Sequence, residues 1–303
     1  MNRSRQVFAG KTDKTRSRLI KSMAEGLEHL ESYDKRPSGV FGSEAKIICG
    51  DVVVNSNDLD LEFNVKFDDD MEANEAEVVI YNLTDNTINQ FKYHARISII
   101  AGFKGDTGLV FSGYITKVKT KQEDADKVTT ITCIDDVANH TISEITYAAG
   151  TKASYILRDL LKKTGIPIAV FNMRRDWTYK DEEKVDGDLM ENIKKFSEVC
   201  GVSTYINKGQ IYSRYIKTGD NLRFNLSEET GLIGSPSEFT EEKTAEDYKE
   251  TINGYECECI LQHRFSAGGI INLSSLYANG QYRICSGEHT FNADEAISKI
   301  KIY

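Results

Sequence analysis

The sequence has 303 residues, of which 40% are hydrophobic and 28% charged, and its formal net charge is −9. This length provides for two or three hydrophobic cores, so we expect more than one domain. Three prolines and 10% aromatic residues are typical of a folded chain, and no apolar run approaches the roughly 20 residues that cross a bilayer. The first residues lack the apolar segment of a secretory signal, which predicts a soluble protein made in the cytoplasm.

The cysteines and the distribution of charge narrow the possible classes of protein further. The cysteines are dispersed within apolar or strand-like runs, which favours buried, reduced thiols over a disulfide framework. Residues 1–40 hold nine Lys or Arg and five Asp or Glu, whereas the remainder holds 29 and 42. The acidic remainder argues against a nucleic-acid groove and would suit a channel through which DNA passes without sticking. The same balance of acidic and basic residues is also ordinary for a mildly acidic soluble protein without a channel.

The chain begins with an amphipathic arm, which we assign to residues 1–43. Residues 16–30 have helical apolar periodicity, and Pro37, Gly39 and Gly42 follow it. We expect this helix to dock on an adjacent subunit or another protein, although packing on its own chain remains an equal alternative. The candidate assembly surface consists of Leu19, Met23, Leu27 and Leu30.

Residues 44–147 are predicted to form a first β domain. Residues 59–67 alternate strictly between apolar and polar positions, and Glu75–Tyr81 continue the two-residue period. Thr84 and Asp85 can cap a short helix. Further strands are predicted over residues 96–103, 109–120 and 127–134, the first two joined at Lys104-Gly-Asp-Thr-Gly108.

Residues 148–216 are predicted to form a mixed α/β domain. One helix begins near Ser154 and is followed by Gly165 and a strand over residues 166–171. A second helix begins at Asp186 or Asp188 and ends at Gly201. A hairpin over residues 202–206 and 210–215 completes this part.

Residues 217–303 return to a strand-like pattern and are predicted to form a second β domain. The acidic residues 238–250 are predicted to be a loop or helix. Strands are predicted over residues 254–261, 270–276 and 281–289, with a break at Gly268 and Gly269.

Three groups of phrases resemble the baseplate hub proteins of phage tails, namely the late control protein D family and its relatives in prophages and phage-tail-like bacteriocins. Together they cover most of residues 44–303. The first group resembles the first tube-like domain of that family, the second its small α/β insertion, and the third its second tube-like domain. The first group is Ile80-Tyr-Asn-Leu83, Ala101-Gly-Phe-Lys-Gly105 and Phe111-Ser-Gly-Tyr-Ile115; the second is Thr151-Lys-Ala-Ser-Tyr-Ile-Leu-Arg-Asp-Leu-Leu161 and Thr164-Gly-Ile-Pro167; the third is Gly231-Leu-Ile-Gly-Ser-Pro236, Ile271-Asn-Leu-Ser-Ser275 and Gly280-Gln-Tyr-Arg-Ile284.

The resemblance implies an α+β, mainly β fold with two tail-tube-like β-barrels, a small α/β domain between them and the N-terminal helical arm. It also implies a structural hub of a contractile phage tail or phage-tail-like particle, assembled in the bacterial cytoplasm. Its homotrimer would adapt a hexameric tail tube to a trimeric central spike and would contact other baseplate proteins. No enzymatic activity, cofactor, membrane span or specific nucleic-acid binding is expected. The hub part of a noncontractile tail tip and a tail-associated cell-wall hydrolase remain as alternatives.

Four weak chemical patterns were weighed against structural explanations. Asp106-Thr-Gly108 matches the aspartic-protease tripeptide, but a hairpin turn is favoured. The set Cys257, Cys259, His263, Cys285 and His289 contains soft metal ligands, but core cysteines are favoured because the spacing is unusual for a structural site. The acidic residues 68–70 and 135–136 could bind a cation. Each group lies at a predicted strand end, where carboxylates in turns are ordinary, so a turn role is favoured. His94 and His140 have no evident catalytic partner in the sequence.

Overall fold

A computed structural model describes residues 42–135, 141–245 and 248–303 of this protein. The predicted helix over residues 16–30, with the candidate assembly surface, lies outside these ranges. His140 and Asp136 lie outside them as well. The described chain is mainly β with short helical insertions, which confirms the predicted fold class.

The first β region surrounds one apolar core. In β3 the even-numbered residues face away from the core and odd-numbered residues such as Phe63 and Val65 are buried, as the sequence alternation predicts. The Thr84 side chain accepts a hydrogen bond from the Thr87 amide and caps the short helix. The elements are β1 (Ser43–Cys49), β2 (Val52–Asn55), β3 (Leu61–Asp68), β4 (Glu75–Tyr81), α1 (Asp85–Ile88), β5 (Arg96–Phe103), β6 (Asp106–Glu123) and β7 (Asp126–Ile134).

The α/β region has its own core between two helices and two small sheets. Asp188 caps one helix through the Glu191 amide, and Gly201 ends it at a left-handed φ of 64°. The other helix starts one residue before the predicted Ser154, whose amide donates instead to the Asp176 carboxylate. The elements are β8 (Thr141–Tyr147), α2 (Ala153–Lys163), β9 (Ile168–Phe171), β10 (Glu183–Asp188), α3 (Leu189–Cys200), β11 (Ser203–Asn207) and β12 (Gln210–Arg214).

In the second β region, one prediction from the sequence is wrong. Residues 238–250 were expected to be a loop or helix, but residues 238–245 and 248–250 are strand residues, because Ser237 to Ala245 pair residue by residue with Glu256 to Tyr248. Strand pairing outweighs the low β propensity of a glutamate-rich stretch. The elements are β13 (Asp220–Leu226), a 3₁₀ turn (Glu228–Thr230), β14 (Leu232–Ala245), β15 (Tyr248–Ile260), β16 (Gly269–Ser274), β17 (Asn279–Phe291) and β18 (Ala296–Ile302).

The two β regions share one open sheet. Its strand order is β14-β15-β18-β17-β3-β4-β7-β6-β5-β1-β2, with β16 paired to β17 and β13 paired to β16. The antiparallel pairing of β3 with β17, from Asp68 opposite Ser286 to Phe63 opposite Phe291, joins the two regions; we call this pairing the seam. Gly287 lies opposite Phe67 in the seam, and a Cβ atom on it would lie 2.6 Å from the Phe67 ring. The same atom would lie 2.6 Å from the Lys299 carbonyl oxygen on β18, so only glycine fits between the two neighbouring strands.

The resemblance implies two separate barrels, but the seam joins the two β regions into one continuous sheet. Within the described residues, no strand pairing closes this sheet into a barrel. In the part of the chain that the structure describes, the sheet ends at β2 and β14, whose outer edges pair with no strand. Among the described residues, no helix has the length and apolar character of a membrane span.

Candidate assembly surface and interdomain junction

One face of the large sheet covers the cores, and the opposite face, here called the outer face, is polar over most of its width. Residues directly opposite one another on antiparallel strands lie on the same face. Strand register therefore places five outer-face residues in one row: Lys117, Thr132, Glu77, Asn64 and Thr290, on β6, β7, β4, β3 and β17.

Two further rows of the outer face cross the seam with alternating charge. The row through the middle of the seam is Lys66, Glu288, Lys299 and Glu258. Lys299 Nζ lies 3.4 Å from the Glu258 carboxylate, and Glu288 also accepts a hydrogen bond from the Asn64 amide. Opposite charges on neighbouring strands stabilise a sheet and fix its register. The outer face of the two β regions is thus one surface.

The second row contains an unusual carboxylate, Asp68. It lies opposite Ser286, and Lys301 then pairs with Glu256 at 3.4 Å. Burial, and then the neighbouring Asp70 carboxylate, raise the pKa of Asp68 to about 7. This end of the face therefore gains negative charge as the pH rises from 4 to above 7.

Three polar clusters hold the α/β region against both β regions; together we call them the junction. In the first, the Asn74 side-chain amide donates to the Asp135 carboxylate at 2.6 Å and to the Ile206 carbonyl at 2.8 Å. The Asn74 backbone amide donates to the same carboxylate at 2.8 Å. Asn74 and Asp135 belong to the first β region and Ile206 to β11, so one buried amide connects two regions.

The second cluster centres on the buried ion pair between Asp69 and Arg283. Arg283 lies on β17 and also donates to the Thr218 carbonyl at 3.0 Å and the Tyr303 hydroxyl at 2.9 Å. Ser203 on β11 donates to the Asp69 carbonyl at 2.6 Å. All three regions meet at this pair.

The third cluster lies at the β5–β6 turn. Arg264 holds the Asp106 carboxylate through two hydrogen bonds of 2.6 and 2.7 Å, and these bonds lower the pKa of Asp106. His263 also contacts Asp106, at 3.3 Å, and burial lowers the pKa of His263 to about 4. Lys208, in the β11–β12 turn, donates to the His263 carbonyl at 2.6 Å, and burial lowers its pKa to about 8.

The residues of the weak chemical patterns lie in these structural settings. Asp106 of the protease-like tripeptide is the first residue of β6, directly after the β5–β6 turn, and is an ion-pair partner of Arg264. Asp69 and Asp135 belong to the junction, and His94 packs its ring edge-on against Tyr93 at 3.9 Å between centroids.

The soft-ligand set is dispersed in the core. Cys257 and Cys259 lie in the second β core, and the Cys285 thiol is directed at the Lys301 carbonyl. His289 is fully buried between Ser298 and the Phe265 carbonyl. No group of three metal-ligand side chains lies together within the described residues, and all six cysteines are thiols without a disulfide bond.

Sequence reasoning missed the residues of the junction. Arg283 gave no signal, since it alternates with Tyr282 and Ile284 in a predicted strand, where a polar residue between two apolar ones is ordinary. The structure shows that Arg283 is buried, and a buried charge needs a partner. The identity of that partner, Asp69, was not accessible because 214 residues separate the two.

The fold is that of phage tail proteins. The 43 kDa tail protein of prophage MuSo2 from Shewanella oneidensis has a TM-score of 0.63 and 9% identity, over 86% of this chain and 97% of that one. A tail protein from Neisseria meningitidis MC58 has a TM-score of 0.60 and 8% identity, over 86% and 96%. These similarities confirm, for the fold, the resemblance derived from the sequence phrases.

A third similar structure comes from a secretion system. It is the E. coli c3393 protein, described as a component of the type VI secretion system with structural similarity to the T4 bacteriophage tail proteins gp27 and gp5. Its TM-score is 0.56 and its identity 10%, over 80% of this chain and 73% of that one. No protein-family profile and no curated protein matches the sequence.

Proposed function

We propose that this protein is a structural component of a phage tail or a related particle, and specifically its baseplate hub. The observation that carries this proposal is the seam, which fuses two successive β regions into one sheet with a common polar outer face. The fold shared with tail proteins supports the same role. The described residues that could have indicated chemistry are engaged in ion pairs and core packing, which favours a non-enzymatic role.

In this proposal the protein acts as a homotrimer. Each chain contributes two β regions, so three chains place six such regions around a threefold axis. A ring of that kind can match a hexameric tail tube on one side and a trimeric central spike on the other. The predicted domains, residues 44–147, 148–216 and 217–303, are the units of this arrangement.

The sheet edges offer a route to ring formation. The unpaired edges of β2 and β14 lie at opposite ends of the sheet, so the edge of one copy can meet the other edge of the next. The charged rows at the seam lack the apolar side chains of a stable protein interface, and in the ring they face the water-filled channel. Their alternating signs avoid a uniformly basic surface that would retain DNA.

Native mass spectrometry and electron microscopy of the protein, alone and with its tail-tube and spike proteins, test the proposal. We expect three chains per particle and a complex that contains both partners. Six chains per ring, with one β region of each chain in the ring, would contradict the hub. A particle that continues into a longer noncontractile tip would favour that alternative, and turbidity loss from cell walls incubated with the protein would favour the hydrolase.

A further inference from the structure

The outer face becomes apolar at its β2 end. Val53 on β2 lies opposite Ile48 on β1, and Ile100 on β5 lies opposite Leu109 on β6. Because Ile48 is opposite Ser98 and Ile100 is two residues further along β5, the two pairs are diagonal neighbours. We call Val53, Ile48, Ile100 and Leu109 the apolar stripe.

The apolar stripe is separate from the core. Its residues alternate with Ile47, Ile99 and Val110, which point to the opposite face and are buried. Val53 is 51% exposed and Leu109 36% exposed, and the two isoleucines are partly exposed. Ile48 and Ile100 meet along a diagonal, with Ser98 and Lys46 as their direct cross-strand neighbours. Charged rows occupy the outer face at the seam, so this group of partly exposed apolar side chains is expected to have a cover.

The chain itself brings a suitable cover to this position. The Gly42 carbonyl accepts a hydrogen bond of 3.0 Å from Lys104, and Ser43 lies opposite Phe103, so residues 1–41 enter the fold at the β5–β6 turn. Residues 31–42 connect the predicted helix to this point. Twelve residues span at most about 40 Å, which is ample to place the helix over the stripe.

The dimensions of the two surfaces agree. The apolar side of the predicted helix, from Leu19 to Leu30, extends about 16 Å at 1.5 Å per residue. The stripe crosses four strands and therefore extends about 14 Å. The rim of the stripe carries both signs of charge: Glu44 and the exposed Asp51 are carboxylates, and the exposed Lys46 lies opposite Ile100. Residues 16–30 also carry both signs, so the fit of the two surfaces is one of length and apolar character.

We propose that residues 16–30 dock as a helix on the apolar stripe of their own chain, with Leu19, Met23, Leu27 and Leu30 facing it. The short connection gives the helix an effective local concentration in the millimolar range, which favours the intrachain contact over exchange between copies at ordinary protein concentrations. This inference selects one of the two alternatives that the sequence left open. It does not depend on the hub function.

Disulfide trapping in the full-length chain tests the contact. Leu27→Cys with Val53→Cys, and Leu27→Cys with Leu109→Cys, sample the two directions in which the helix can cross the strands. After mild oxidation and alkylation, we expect at least one pair to give an intrachain disulfide, identified by peptide mass. Glu25→Cys with Val53→Cys is the matched control, because residue 25 lies on the opposite side of the same helix. Leu27→Cys with Ile233→Cys places the second cysteine at another exposed apolar site, 42% exposed.

The outcomes separate the possible occupants. An interchain disulfide in place of the intrachain one would show that the helix covers a neighbouring copy and would overturn the proposal. Equal trapping in the controls, or none in either pair, would show that the stripe is not the docking site.

A second measurement uses the fluorescence of a dye that binds exposed apolar surface. Leu27→Glu should release the helix and increase this fluorescence, and adding Val53→Glu and Leu109→Glu should reverse the increase. Unchanged dye fluorescence in Leu27→Glu would also contradict the proposal.

Discussion

The seam and the junction hold the same three regions together by different means. At the seam, backbone pairing is accompanied by apolar contacts such as the stacked rings of Phe63 and Phe291, whose centroids are 5.4 Å apart. At the junction, a few buried polar groups depend on specific partners, as in the Asp69–Arg283 pair. Apolar packing loses stability gradually when a contact is trimmed, whereas a buried charge that loses its partner keeps its full desolvation penalty. We therefore expect the junction to be the more fragile connection.

Replacement of Asp69 should have the largest effect. Asp69→Ala leaves the buried Arg283 guanidinium without its counter-charge, which should lower the free energy of unfolding by about 3–5 kcal/mol. Urea unfolding followed by circular dichroism measures this loss. The neighbouring Asp70→Ala is the matched control, because Asp70 is exposed and should change stability by less than about 1 kcal/mol. Similar values for the two variants would refute the fragile junction.

Replacement of Asn74 should have the next largest effect. Asn74→Ala removes the amide that donates to both Asp135 and Ile206, and it leaves buried acceptors with fewer donors. We expect a loss of about 2 kcal/mol. Amide hydrogen exchange should show faster exchange in β11 than in the seam strand β3. Uniform acceleration across both strands would mean that Asn74 does not connect the regions specifically.

Trimming the seam should have a smaller effect. Phe291→Leu retains an apolar side chain at a buried position but removes the ring stacked on Phe63, so we expect a loss of about 1–2 kcal/mol. Phe239→Leu is the control, since Phe239 on β14 is only partly buried. A loss at Phe291 that exceeds the loss in Asp69→Ala would reverse the order of the two connections.

The smallest expected effect depends on pH and arises beside the seam. The folded-state pKa of Asp68, about 7, lies above its ordinary value of 3.8, so the folded protein binds more protons than the unfolded chain between these values. Stability from this group is therefore full below pH 4 and is lost as the pH rises through 7. Asp68→Asn should match the original protein at pH 4 and exceed it at pH 8 by about 1 kcal/mol, or roughly 2–4 °C in Tm. Thermal scans at both pH values measure it, and an equal difference at both would exclude titration of Asp68.

Local sequence features predicted the parts of the fold that local physics determines. The alternation in β3 and the Asp188 and Gly201 ends of α3 were readable because burial on one face and capping follow from neighbouring residues. The paired strands over residues 238–245 and 248–250 were missed because a partner strand, rather than the residues' own preference, holds this glutamate-rich stretch extended.

The candidate site was predictable only in part. The predicted assembly surface of Leu19, Met23, Leu27 and Leu30 lies outside the described residues and stays a prediction. The seam and the junction depend on side chains more than 100 residues apart, such as Asn74 and Ile206, and a single sequence carries no signal of such pairing. The resemblance of short phrases indicated the tail-protein fold, but the fusion of its two β regions at β3 and β17 required the structure.

The seam also constrains how the chain can be synthesised and folded. Asn64 and its seam neighbour Glu288 are 224 residues apart, so at about 5–20 residues per second β3 waits roughly 10–45 s for its partner on the ribosome. During that interval the first β region has an unpaired strand edge beside Phe63, and exposed edges of this kind promote aggregation. Pairing over such a separation is also slow, because a long loop must close before any contact forms. The yield of native protein should therefore depend on how well the nascent first β region is protected until the last two strands emerge.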